Sequence, residues 1–69
     1  MKISARNMLE GTVRAIHLGE VEAEVQLELQ GGASIASVIT RASAERLGLK
    51  VGDRAFAVVK ASDVMVAVG

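Results

Sequence analysis

A chain of 69 residues with eight basic and eight acidic side chains, no Cys, Trp or Tyr, and Phe56 as its one aromatic residue reads as a single domain spanning 1–69, and a domain of this size buries only about 60% of its unfolded surface. Disulfides, a structural metal or association with other chains normally support so small a domain; with no Cys and His17 as the lone imidazole, association is what remains. Zero net charge argues against a generic binder of nucleic acid or of anionic membranes, and a 51% apolar composition points to a core of Val, Ala, Leu and Ile, with apolar surface facing other subunits.

The chain begins with a cluster of donors, Ser4-Ala5-Arg6-Asn7. Lys2 is not followed by the apolar stretch of a signal peptide, and no apolar run approaches a membrane span, so a cytoplasmic location is expected; the lack of Cys agrees with that compartment. Gly11 to Leu18, with Thr12, Val13 and Ile16, reads as a strand, and Gly19-Glu20 as a tight hairpin turn using positive φ. From Val21 to Gln30 the alternation is unbroken: Val21, Ala23, Val25, Leu27 and Leu29 on one face, Glu22, Glu24, Gln26, Glu28 and Gln30 on the other. This pattern predicts a half-buried strand. Its glutamates form a solvated face and not a pair of catalytic carboxylates.

Gly31-Gly32 supplies the next turn, and Ala33 to Thr40, with Ile35, Val38 and Ile39, reads as the third strand of a meander. Arg41 to Leu47 loses the period of two and carries good helix formers, with Gly48 as C-cap. Leu49 to Asp53 is a turn into Ala55-Phe56-Ala57-Val58-Val59, an apolar run expected to be buried on both faces. A last strand is expected over Val64–Val68. Five or six short strands with one helix between the third and fourth long ones fit a small all-β closed barrel, in which no strand edge made of Val and Ile is left open to aggregation.

Chemistry for an enzyme is thin: one His, no Cys, no phosphate-binding glycine loop and no cluster of His and carboxylates suited to a transition metal. No catalytic residue and no directly coordinated metal is expected, and His17 reads as a surface or interface imidazole. Donors are a different matter. Ser4, Arg6 and Asn7 at one end, Lys60 and Ser62 at the other, and Thr40 where the third strand gives way to the helix form a set suited to a small anion, since helix-terminal N–H groups favour negative charge. Read more plainly, Ser4 and Ser62 are turn residues, Thr40 is an N-cap, and Arg6 and Lys60 are solvated.

The segments Met1-Lys2-Ile3-Ser4-Ala5-Arg6-Asn7, Leu9-x-Gly11-Thr12-Val13, Gly19-x-Val21-x-Ala23-x-Val25, Leu47-Gly48-Leu49-x-x-Gly52 and Lys60-Ala61-Ser62-x-Val64-Met65-Val66 together resemble the molbindin (Mop) family across the whole chain. The resemblance implies an OB-like β-barrel of the transport-associated (TOBE) type. It also implies a cytoplasmic homohexamer, a trimer of dimers, that stores or buffers molybdate, and tungstate as its analogue, at subunit interfaces. By position, the principal site takes Ser4, Ala5 and Arg6 together with Lys60, Ala61 and Ser62, and Thr40 from a neighbour. A second kind of site near a three-fold axis is assigned to His17, Gly19, Glu20 and Val21. Asn7 has no ligand role in this scheme and is expected to stabilise a turn.

Molybdate brings its own oxide ligands, so the protein has only to offer N–H and O–H donors to a dianion. A site made of donors alone disfavours hydrogen phosphate, whose proton would lack an acceptor, and sulfate must be refused by size. Arg6 and Lys60 are expected to act through structure and long-range charge. The alternative reading is a small dimeric DNA-binding regulator of the AbrB-like swapped-hairpin type, which the Leu47-Gly48-Leu49-Lys50-x-Gly52-Asp53 turn also resembles; the charge balance and acidic central strand count against it. OB-folds that bind single strands stack bases on aromatic side chains, and Phe56 alone does not provide for that.

Overall fold

In the computed structural model, which describes residues 2–69 and so leaves Met1 of the resemblance outside, four strands and one helix follow in the order β1 (Asn7–Leu18), β2 (Glu22–Leu29), β3 (Ser34–Thr40), α1 (Arg41–Leu47) and β4 (Arg54–Val59), with a 3-10 turn at Ala61–Asp63. All pairings are antiparallel and the sheet order is β3-β2-β1-β4. The all-β class, the β1-β2-β3 meander and the helix between the third and fourth strands agree with the sequence reading.

The long strand β1 is shared. Its first half, Asn7 to Thr12, pairs with β4, and its second, Gly11 to Leu18, pairs with β2. Gly11 lies at the overlap, where a Cβ would stand 2.7 Å from the Glu28 carbonyl oxygen, so only glycine lets β2 come this close. Between Val13 and Ala15 the register slips by one. The extra residue, Arg14, is a β-bulge, which bends the strand and deepens its twist. It also re-phases the side chains: Val13 and Ile16, three apart, both reach the core.

That core is small. Val13, Ala23, Val25, Leu27 and Ala44 are buried, and Val13 alone is large and wholly inaccessible. Ile16, Ile35, Ile39, Leu49, Ala55 and Ala57 pack around it, half-buried. On β2 the alternation holds from Glu22 to Leu27, with Ala23, Val25 and Leu27 inward and Glu22, Glu24 and Gln26 in solvent; it fails at the ends, where Val21 precedes the strand and is exposed, and Glu28 and Leu29 are both half-buried. The helix ends where Gly48 turns left-handed at φ 64, its N–H returning to the Ala44 and Glu45 carbonyls. Beyond it, the Gly52 N–H donates to the Val13 carbonyl and the Val13 N–H to the Asp53 carbonyl, each at 2.8 Å. The Leu47–Asp53 segment is thereby tied to its own β1, unlike an exchanged AbrB-type hairpin.

Several expectations are corrected. Strand β4 is not buried on both faces: Ala55, Ala57 and Val59 are half-buried, while Phe56 and Val58 are exposed, because the sheet is a single layer with β4 at its edge. For the same reason Val38 faces outward from β3. Gly19 does not use positive φ; its N–H closes the turn on the Glu22 carbonyl at 2.8 Å, and a Cβ would sit 3.0 Å from that oxygen. Asn7 is not a turn residue but the first of β1, opposite Val59. Val64–Val68 is not a strand of this chain: it follows the 3-10 turn as an exposed extension. Among the described residues the sheet has four strands and is a half-barrel, open between β3 and β4, where a barrel of five or six would be closed.

Candidate functional site

The antiparallel register dictates where the two ends of the chain meet. Asn7 faces Val59, so the residues just before Asn7 and just after Val59 must emerge side by side. A cleft of about 430 Å³ forms there, walled by Ser4, Ala5, Arg6, Lys60, Ala61 and Ser62, with Ile3 and Val58 as its apolar sides. Six of the seven residues assigned to the principal site thus converge within one chain. Ile3 and Val58 were not singled out as site residues in the sequence, because the unbroken apolar run Ala55–Val59 does not say which face Val58 takes; the alternation of β4 and its register with β1 show it.

Local geometry leaves this cleft rich in donors. Lys60 is extended (φ −64, ψ 131) and starts the 3-10 turn without a side-chain cap. The turn closes by Asp63 N–H to the Lys60 carbonyl at 2.9 Å and Val64 N–H to the Ala61 carbonyl at 3.2 Å. The Ala61 and Ser62 amides have no backbone acceptor among the described residues, as the first N–H groups of any helical turn do. Arg14, Arg41 and Arg54 are each engaged by a carboxylate, whereas Arg6 and Lys60 meet none among the described residues. The cleft therefore presents two cations, two hydroxyls and unpaired amides, and no carboxylate.

Two other concavities differ in kind. One, between Thr12, the Gly31-Gly32 turn and Arg54, includes Glu10 and Glu28, whose charges repel an anion. The other is the apolar concave face of the half-barrel.

Thr40 lies away from the cleft. It N-caps α1, its hydroxyl accepting from the Ser43 N–H at 3.0 Å and donating to the Ser43 hydroxyl at 2.8 Å. The Arg41 N–H donates to the Val21 carbonyl at 2.8 Å, which leaves Ala42 as the amide of this first turn without a partner among the described residues. Of the second group, Gly19, Glu20 and Val21 form the β1–β2 turn and His17 lies in β1 opposite Glu24; all four are exposed. Arg41 anchors this turn to the helix by donating to the Gly19 carbonyl at 3.3 Å. No group of three or more metal-ligating side chains occurs among the described residues, and no helix is long and apolar enough to cross a membrane.

Residues 3–66 match the TOBE domain family. The chain belongs to that family. This TOBE domain is 52% identical over 66 residues to molybdenum-pterin-binding protein 2 of Clostridium pasteurianum, across 96% of this chain and 97% of that protein. It superposes on a molybdate-binding protein from Sporomusa ovata with a TM-score of 0.92 at 40% identity, covering 97% of this chain and 98% of that one. On the cytoplasmic molybdate-binding protein ModG, in a form with molybdate bound, the TM-score is 0.90 at 52% identity; 94% of this TOBE domain aligns with 46% of that chain. The Mop resemblance and the OB-like fold read from the sequence are borne out by these relatives.

Proposed function

We propose that this chain, acting as one domain over residues 1–69, binds molybdate, and tungstate as its analogue, in the cleft of Ser4, Ala5, Arg6, Lys60, Ala61 and Ser62. The observation that carries the reading is the meeting of two donor clusters, with no carboxylate, where Asn7 and Val59 pair. The molybdate-bound ModG relative supports the ligand, and its description as cytoplasmic supports the compartment.

Every cleft residue except Ala5 is exposed in the single chain. Water would screen a dianion held there, so a neighbouring subunit is needed to cover it. Thr40 and the Ala42 amide, being remote within one chain, are the donors that a neighbour brings. A homohexamer built as a trimer of dimers places such interfaces in equivalent positions, with the Gly19–Val21 turns as the second, three-fold type of site. The role is storage or buffering and not catalysis.

Calorimetric titration with molybdate, tungstate, sulfate and phosphate, on protein whose mass has been measured in solution, tests the reading. Heat with molybdate and tungstate is expected, with affinity for sulfate and phosphate lower by at least tenfold. Folded protein that releases no heat with molybdate overturns the assignment, and retention on heparin at moderate salt would favour a DNA-binding regulator instead.

A further inference from the structure

We infer that Ile3 and Val58, the apolar sides of the anion cleft, determine its specificity, selecting a large dianion over a small one by leaving part of its surface dehydrated and unbonded. This role rests on the molybdate reading of the same cleft and gives a task to two residues that donate nothing.

Donors alone do not separate molybdate from sulfate. Both are proton-free dianions with four oxygens about one centre, so the Ser4 and Ser62 hydroxyls and the Ala61 and Ser62 amides serve either equally well. Hydrogen phosphate is set apart by its proton, which would lack an acceptor, but sulfate carries none. Nor does the fit of this chain decide, because the cleft, at about 430 Å³, is much larger than one tetrahedral anion. Refusal of sulfate falls to groups that offer no bond.

The cleft has two of these. Ile3 directly precedes Ser4, and Val58 stands two residues before Lys60 and opposite Met8 in the β1–β4 ladder, so each is held beside one of the donor clusters. They are 50% and 41% exposed, and neither belongs to the hydrophobic core. Core packing therefore does not explain why both are apolar. The outward positions of β2 show what solvent alone would ask for, since Glu22, Glu24 and Gln26 are polar there, whereas the outward position of β4 at the cleft is Val58.

Against such walls an anion loses water without gaining a hydrogen bond, which raises its free energy. For equal charge the Born cost of dehydration grows as the ion shrinks. Sulfate, the smaller and more strongly hydrated dianion, is thus penalised more than molybdate. Size acts through dehydration, and tungstate, nearly the size of molybdate, is not separated from it.

The test compares the full chain with Val58→Thr and Ile3→Thr, which keep the β-branch and add a hydroxyl, by calorimetric titration with molybdate and with sulfate as its competitor. The ratio of the sulfate Kd to the molybdate Kd is expected to fall by roughly fivefold or more in each variant, a part of what a hydrogen bond to a charged group contributes, because the smaller anion gains more from the new donor. Val38→Thr, also on an outward face but on β3 and outside the cleft, leaves the ratio as it is. A ratio unchanged in both cleft variants, including equal losses of affinity for the two anions, overturns the assignment, as does an equal fall in Val38→Thr. Should the cleft variants not fold, selenate decides on the unsubstituted chain: being intermediate in size, it binds between sulfate and molybdate, and selenate bound no more tightly than sulfate overturns selection by dehydration. Folded parent protein without molybdate heat sinks the proposed function as well; molybdate heat with an unchanged ratio sinks only the role of Ile3 and Val58.

Discussion

Thr40 has two jobs in the proposed assembly, and substitutions separate them. Within one chain its hydroxyl caps α1 through the Ser43 N–H at 3.0 Å; across the interface it is a donor to the anion. Thr40→Ala removes both. Loss of an N-cap costs about 1 kcal/mol, which in a domain of this size lowers Tm by roughly 4–8 °C, and the lost bond to a charged ligand lowers molybdate affinity by roughly tenfold or more. Thr40→Asp divides the roles. Aspartate is a good cap and its charge suits a helix N-terminus, so Tm stays within about 2 °C of the parent. A carboxylate against a dianion, however, abolishes binding, since like charges at contact repel strongly in a partly desolvated site. Thr40→Ser keeps both functions. Thermal unfolding followed by far-ultraviolet circular dichroism and calorimetric titration with molybdate read the two quantities on the same samples. Unchanged molybdate affinity in Thr40→Asp would refute the placement of Thr40 at the anion, and an unchanged Tm in Thr40→Ala would refute the cap.

Ser62→Ala removes a hydroxyl donor from the cleft and is expected to weaken molybdate binding by roughly 10- to 100-fold, the range for a hydrogen bond to a charged group, with Tm unmoved. Arg6→Gln with Lys60→Gln tests long-range charge: the loss of affinity should be large at about 0.01 M salt and nearly absent at about 1 M, where the Debye length is roughly 3 Å; a loss independent of salt would mean direct contact instead. Val13→Ala deletes two methyl groups from the one wholly buried large side chain, and transfer plus cavity terms give roughly 2–3 kcal/mol of destabilisation by denaturant titration. Gly48→Ala meets no steric obstacle, so its cost of roughly 1 kcal/mol comes from the left-handed backbone alone; Gly48→Asn should recover part of it.

The clear parts of the fold were those written in local pattern. The alternation of β2, the helix formers of Arg41–Leu47 and the glycine after them each carry their own signal, and the structure follows them closely. What the pattern does not contain is the partner of each strand. An apolar run such as Ala55–Val59 looks the same whether its second face meets another layer or water, and Val64–Val68 reads as a strand whether or not an edge is within reach. The bulge at Arg14 was equally hidden, since the spacing of Val13 and Ile16 shows only that one of them breaks the alternation. For the candidate site, the donor types were legible at both ends of the chain, but their meeting rests on the pairing of Asn7 with Val59, some fifty residues apart. The cap role of Thr40 was one of its readable roles, because a hydroxyl three residues before a helical amide is a local signal.

The division of β1 has a kinetic side. Its second half joins β2 through a short turn, a contact between near neighbours in the chain, and such hairpins close within microseconds. Its first half must wait for β4, which arrives only after more than thirty further residues have been laid down, and long-range pairing of this kind slows folding. The meander should therefore appear first and β4 last, with the Gly11 and Thr12 amides, which sit where the two ladders overlap, the slowest of the strand to exchange with deuterium. On that order, the cleft at Asn7 and Val59 is among the last features of the domain to exist, and a newly made chain would lack the proposed anion site until its slowest contact had formed.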